Sequence, residues 1–190
     1  MCGRYFIDDE NTELSLIIRE IRRSSPDIRL KTGEIFPTDS APILTAKNGK
    51  PEGAVWGFPS YKGKGVIINA RAETAPEKPT FKSYFFHGRC VVPASCFYEW
   101  SPKKEKYRFT YGENGVIYLA GISGIYEGKL RFVILTTSAN TSVSHIHDRM
   151  PVILSGIPTE KWLNDTDFAL NYLMRDMPLL NAEPENNIKT

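Results

Sequence analysis

Residues 90–137 read CVVPASCFYEWSPKKEKYRFTYGENGVIYLAGISGIYEGKLRFVILTT. Apolar and aromatic runs at 90–92, 97–100, 107–111, 117–126 and 130–137 are separated by segments rich in Lys, Gly and Glu. Short runs of β-branched and aromatic residues between turn formers are the pattern of successive strands. The fold is therefore to be read as sheet first, with helices added around it.

Working outward, 42–46 and 53–58 flank Lys47-Asn48-Gly49-Lys50, whose Asn-Gly pair is a strong hairpin signal. Further strands are expected at 3–7, 66–69 and 150–154. Between the first two strands, Leu14, Ile17, Ile18 and Ile21 fall at the i, i+3, i+4, i+7 spacing of a surface helix. The spacing predicts a helix over 11–23, with Asp8 and Asp9 as caps and Ser24-Ser25-Pro26-Asp27 as its stop. Shorter helices are expected at 80–86, 158–163 and 167–175, and the last dozen residues read as a polar tail. No repeat or linker divides the chain, so 1–190 is one α+β domain, an antiparallel, barrel-like sheet with peripheral helices.

Length and composition agree. A chain of 190 residues with 41% hydrophobic and 24% charged residues has the composition of a folded domain, not a disordered polymer. No apolar run reaches the length of a membrane span, and MCGRYFIDDE lacks the basic-then-apolar pattern of a secretory signal. Three cysteines do not read as a disulfide framework, which points to a reducing compartment and a cytoplasmic protein. A formal net charge of +2 excludes a histone-like global basicity but leaves room for a local basic groove.

Several residues carry chemistry. Removal of Met1 would leave Cys2 with a free α-amine beside its thiol. An α-amine has a pKa near 7.7–8.0 against about 10.4 for lysine, so at neutral pH its reactive form is roughly 300-fold more abundant. Such an amine condenses with an aldehyde to an imine, and the adjacent thiol can close a five-membered thiazolidine. Taken alone, Cys2 reads first as a small buried residue. Glu99 lies in an otherwise apolar run and shares a face with Phe97, where burial would raise its pKa and suit it to acid–base work; an edge-strand glutamate in water is the other reading. His145 and His147 at i, i+2 could ligate a metal from a strand, but no third ligand suggests itself, and a proton shuttle suits one of them better. Asn69, ending a Val-Ile-Ile run, can hold a substrate group or simply begin a turn. Arg4, Arg71, Lys82, Arg89 and Arg149 each adjoin one of these motifs. If the motifs converge, the cations form a phosphate-binding groove.

Seven segments together resemble the SRAP family, the abasic-site-processing proteins also called SOS response-associated peptidases. They are MCGR at 1–4, Trp56-Gly57, INARAET at 68–74, Phe81-Lys82, Gly88-Arg89-Cys90, VPASCFYEW at 92–100 and IHDRMPVIL at 146–154, in the family's order. The motif-bearing part is thus 1–155, followed by a helical segment and tail over 156–190. The resemblance implies binding of single-stranded DNA that carries an abasic site, and a covalent DNA–protein crosslink through Cys2. It implies that Glu99 helps open the abasic sugar, that His147 assists proton transfer, and that Asn69 positions the terminus and sugar. It assigns phosphate contact to Arg4, Arg71, Arg149 and Lys82, and further DNA contact to Pro37, Trp56 and Tyr61. No cofactor or metal is implied. A stable thiazolidine would shield the lesion, while the imine before it would permit some lyase activity. Autoproteolysis, the source of the peptidase name, would have only Met1 to remove. The expected protein is a monomer in the bacterial or phage-infected cytoplasm, on the nucleoid when bound to DNA.

The sequence departs from the family pattern in three places. Glu34-Ile35-Phe36-Pro37 stands where the family has Asn-Val/Ile-Ala-Pro, putting a carboxylate beside the expected DNA path. The loop after Gly57 is short, with Tyr61 as its remaining aromatic wedge. The family's final strands have no evident counterpart in 176–190. Two other classes stay open: a non-covalent single-strand-binding module, and an N-terminal-nucleophile amidohydrolase, since glutamine amidotransferases also begin Met-Cys-Gly.

Overall fold

The computed structural model describes residues 2–46, 50–61, 63–113 and 115–185. In chain order the strands are β1 (Arg4–Ile7), β2 (Gly33–Ile35), β3 (Ser40–Thr45), β4 (Pro51–Trp56), β5 (Phe58–Pro59), β6 (Val66–Ile67), β7 (Asn69–Arg71), β8 (Arg89–Ala94), β9 (Cys96–Trp100), β10 (Lys106–Thr110), β11 (Ile117–Tyr126), β12 (Lys129–Ser138), β13 (Arg149–Pro151) and β14 (Asn181–Pro184). The helices are α1 (Thr12–Ser24), α2 (Pro79–His87), α3 (Thr159–Asn164) and α4 (Thr166–Tyr172). The α+β class is as expected, with more and shorter strands than the apolar runs suggested.

Strands β11, β8, β3, β4 and β12 are hydrogen-bonded in that order, and β12 pairs with β11 again, closing a ring of five. The ring is the expected barrel-like sheet, antiparallel at four of its five junctions. Chain direction cannot alternate all the way around an odd-numbered ring, so at least one neighbouring pair must run parallel. That pair is β4 and β12, through Val55 opposite Arg131 and Trp56 opposite Phe132. Farther along, β7 joins β12, also in parallel, with Asn69 opposite Ile134 and Arg71 opposite Thr136. The proposed Asn-Gly turn at 47–49 lies outside the described residues, but the strands it would join pair with Leu44 opposite Pro51.

A second, five-stranded sheet in the order β14-β10-β9-β1-β2 is antiparallel throughout. Its outer strand, β14, lies in the segment expected to be a loose tail. Pairing of Asn181–Pro184 with β10 supplies hydrogen bonds that composition does not announce.

The first helix begins one residue later than expected and is capped by Asn11, not by Asp8 or Asp9. The Asn11 side chain accepts from the backbone N–H groups of Glu13 and Leu14. Asp8 is occupied differently, donating its backbone N–H to Ser95 Oγ at 2.9 Å. Leu14, Ile18 and Ile21 are buried as the spacing required, while Ile17 is only half-buried. Helix α2 inserts Phe81 and Phe85 toward β8 and β11.

Arg89 is a correction. It is 6% exposed, and its guanidinium donates to the carbonyls of Trp162 (2.6 Å), Phe85 (2.9 Å) and Leu163 (3.2 Å). It ties together the ends of α2 and α3, where a cation meets the negative end of each helix. Its donors are committed to these carbonyls rather than presented to a phosphate near Cys2.

Candidate active site

The register of β1 against β9 assembles the site. Arg4 lies opposite Tyr98 and Tyr5 opposite Phe97, so the chain preceding Arg4 continues past Glu99. Cys2 is fully buried there, with its Sγ 3.8 Å from the Arg4 carbonyl. Burial pushes the thiol pKa well up, and the nearby Glu99 carboxylate adds to the effect, so the thiol is held protonated. From β7, Asn69 Nδ2 donates to the Cys2 carbonyl at 2.8 Å. The Asn69 side chain thus fixes the backbone of the N-terminal segment.

Glu99 is 2% exposed on a central strand, which rules out an edge carboxylate in water. Burial raises its pKa. Its Oε2 lies 3.9 Å from His147 Nε2. His147 Nδ1 accepts from the Arg149 backbone N–H at 3.0 Å and lies 2.9 Å from Asp148 Oδ1. These two contacts suit different protonation states. A neutral ring with its proton on Nε2 takes the N–H, and an imidazolium donates to the carboxylate. The histidine therefore has a partner on either side of a proton transfer.

The metal-ligand reading of His145 and His147 required a strand. Residues 143–147 instead form tight turns, with His147 N–H donating to Val143 O at 3.0 Å, and His145 is exposed. Among the described residues, no group of three or more His, Cys, Asp or Glu side chains is placed to hold a metal ion.

The cations converge only in part. Arg71 and Arg149 meet at one end of β12, paired respectively against Thr136 and Ser138. Arg71 is exposed, whereas Arg149 makes a two-pronged ion pair with Glu73 at 2.6 and 2.9 Å and donates to the Thr136 carbonyl. Arg4 emerges beside Cys2 with its guanidinium 3.6 Å from the centre of the Phe36 ring. Lys82 is exposed on α2, whose contacts are with β8 and β11, and the register does not bring it to this cluster.

Pro37 is half-buried just after Phe36, and Tyr61 is 74% exposed. Trp56 is another correction. It is fully buried, donates its Nε1–H to Ile68 O at 3.0 Å and packs edge-on against Tyr5 at 5.1 Å. No face of the indole is open to a base, so it supports the floor under Asn69 and Tyr5.

Sequence reasoning missed Glu73, Phe36 and Lys106. Glu73 lies within the INARAET motif and would have been found by asking which acid pairs with Arg149. Lys106 carries no local signal. Strand pairing alone sets it opposite Trp100, and its Nζ reaches Glu34 Oε1 at 2.8 Å. Glu34 also accepts from Arg4 at 3.0 Å. Burial raises the Glu34 pKa, but the bonds from Lys106 and Arg4 outweigh it, and the net direction is downward. The carboxylate beside the expected DNA path is therefore part of an ion-pair cluster carrying two positive charges.

Comparison with known proteins matches the family model described as "SOS response associated peptidase (SRAP)" over residues 1–188. The chain belongs to the SRAP family. Among its SRAP relatives, the abasic site processing protein YoqW of Bacillus subtilis is 33% identical, over 91% of this chain and 84% of that protein. The abasic site processing protein YedK of Escherichia coli is 29% identical, over 86% and 79% respectively. A solved protein from Bacteroides thetaiotaomicron superimposes with a TM-score of 0.79, covering 98% of this chain and 93% of that one at 22% identity, which shows a shared SRAP fold.

Proposed function

We propose that this chain recognises abasic sites in single-stranded DNA and, once Met1 has been removed, captures them as a thiazolidine on Cys2. The observation that carries the proposal is the hydrogen bond from Asn69 to the Cys2 carbonyl. It fixes the backbone that would bear the free amine beside a buried carboxylic acid and a histidine. Relatives named abasic site processing proteins support the same reading.

The abasic sugar is mostly a closed hemiacetal. Protonated Glu99 gives its proton to the ring oxygen as the bond from C1 to that oxygen breaks, and the C1 hydroxyl loses its proton to leave the aldehyde. Burial keeps Glu99 protonated to a higher pH than an ordinary glutamate, as a general acid requires. The Cys2 amine adds to C1, and loss of one water gives the imine. The thiol then adds across the C=N bond, sulfur to carbon and proton to nitrogen. His147, with partners for both of its protonation states, relays protons to and from Glu99. No electrons are gained or lost overall. Arg71, Arg149 and Arg4 take the flanking phosphates, with Tyr61 and Pro37 against the strand. β-Elimination from the imine competes with ring closure, so a stable thiazolidine suppresses strand breakage.

The test is to incubate the protein lacking Met1 with a single strand bearing one abasic site, followed by denaturing electrophoresis and intact mass. A heat-stable adduct, absent with undamaged DNA and with Cys2→Ala, is expected. No adduct from a chain that begins at Cys2 would leave non-covalent strand binding as the function.

A further inference from the structure

The outer face of the five-stranded sheet carries a cluster that the covalent chemistry does not use. Register sets Lys106 opposite Trp100 and Glu34 opposite Phe6. One oxygen of Glu34 accepts from both Arg4 Nη1 and Lys106 Nζ. Aromatic rings hold the two cations independently of that carboxylate. The Arg4 guanidinium lies 3.6 Å from the Phe36 ring centre and 5.5 Å from that of Trp100, and the Lys106 ammonium lies 3.8 Å from the Tyr98 ring centre. Two cations share a single negative charge, so one positive charge is left over. A guanidinium has five donors and an ammonium three, more than one carboxylate oxygen can occupy.

A phosphodiester resembles what Glu34 presents: one negative charge and oxygens that accept from both cations. We propose that Glu34 occupies, in the DNA-free protein, the place of a backbone phosphate of the bound strand, and that Lys106 is a phosphate ligand at that place together with Arg4. The inference rests on the single-stranded DNA reading above, because Arg4 is two residues from Cys2 and the phosphate concerned is one near the lesion. Glu34 thus lowers affinity for any strand and makes binding compete with an internal anion. Neutralising it leaves both cations in position on their aromatic faces.

The experiment measures anisotropy of a labelled, undamaged single strand across a salt series, with the melting temperature of every variant recorded alongside. Glu34→Gln is expected to tighten binding on the order of three- to tenfold at low salt, the effect of removing one charge a few ångströms from a phosphate. Lys106→Met keeps the aliphatic stem over Tyr98 and removes the charge. It is expected to weaken binding and to reduce the slope of log K against log salt by about 0.7, the value for one single-strand phosphate contact. The loss is expected to be larger in the Glu34→Gln background than in wild type, because Glu34 no longer occupies Lys106. Wild-type binding with no gain in Glu34→Gln, or an unchanged slope in Lys106→Met, overturns the inference. So does a Glu34→Gln variant that loses affinity and melting temperature together, which would make Glu34 a structural bridge. A folded wild type that binds no single strand would instead remove the DNA reading itself. The covalent step does not enter these measurements, so failure of crosslinking alone leaves the inference standing.

Discussion

At the residue scale, Cys2 and Glu99 are both governed by desolvation. All three cysteines are buried and free, and burial raises the thiol pKa of each. Titration with a disulfide reagent near pH 8 should therefore find almost no reactive thiol in the native protein and three after denaturation. A fast native thiol would mean that the Cys2 environment opens readily. Glu99 gives a pH dependence whose sign can be worked out. Its folded pKa lies above the ordinary value of 4.5, so between those two values the folded chain holds a proton that the unfolded chain has released. Stability contributed by that proton is present at low pH and lost as pH rises through the window. Glu99→Gln should therefore denature at higher urea than wild type above the window, while its crosslinking slows by about 10²-fold or more. An unaffected crosslinking rate would end the acid–base assignment.

Asn69→Ala should slow adduct formation at saturating DNA and cost about 1 kcal/mol of stability through the lost bond to Cys2 O. Crosslinking kinetics and urea titration read the two effects separately. An unchanged rate would make the bond structural only. Of the residues singled out in the sequence, Cys2, Asn69, Glu99 and His147 do meet around one point. Their motifs were legible because each combines an unusual residue with an apolar run. Trp56 and Arg89 were misassigned for the same reason. A tryptophan or arginine in a motif looks alike whether it faces a ligand or the core, and only burial separates the two.

At the element scale, Arg89 joins α2, α3 and β8 through three carbonyls. Arg89→Ala leaves those acceptors buried without a donor and opens a void. A loss of about 2–4 kcal/mol is expected, measured by urea denaturation, with DNA affinity little changed at temperatures where the variant is folded. A near-neutral stability change would show that water replaces the guanidinium. The start of α1 shows how far local rules reach. Asp8, Asp9 and Asn11 are all competent caps, and choosing Asn11 required knowing that Asp8 N–H is already committed to Ser95. Likewise β14 has no apolar alternation of its own, since it is an exposed outer strand recruited by β10.

At the scale of the whole molecule, the five-strand ring determines where the chemistry occurs. Its parallel closure lets β7 run along β12, and that contact carries Asn69 and Arg71 toward β13 and the IHDR segment. The larger clefts are elsewhere: one of about 550 Å3 is lined by His87, Arg89 and Ser123, and none of its lining residues belongs to the Cys2 cluster. A site read by a strand lying across a surface does not need a deep pocket. Inside the ring, a Cβ on Gly121 would come within 2.8 Å of Cys90 Sγ and 3.0 Å of the Val133 carbonyl. Gly121→Ala should destabilise by about 1–3 kcal/mol because the carbonyl belongs to the neighbouring strand and cannot yield without opening the seam. A melting curve unchanged from wild type would show that the seam is more compliant than its geometry suggests.

By itself the sequence determined the elements and the chemistry available. Strands, helices, the buried faces of α1, and the amine–thiol, carboxylic acid and imidazole chemistry all follow from side chains and their local spacing. Only the tertiary structure decided the parallel closure of the ring, the burial of Trp56 and Arg89, and the joining of Glu34, Arg4 and Lys106. Those depend on contacts between residues 30 to 74 positions apart along the chain. Periodicity reports which face of an element is apolar, but strand register and ring closure set what that face meets.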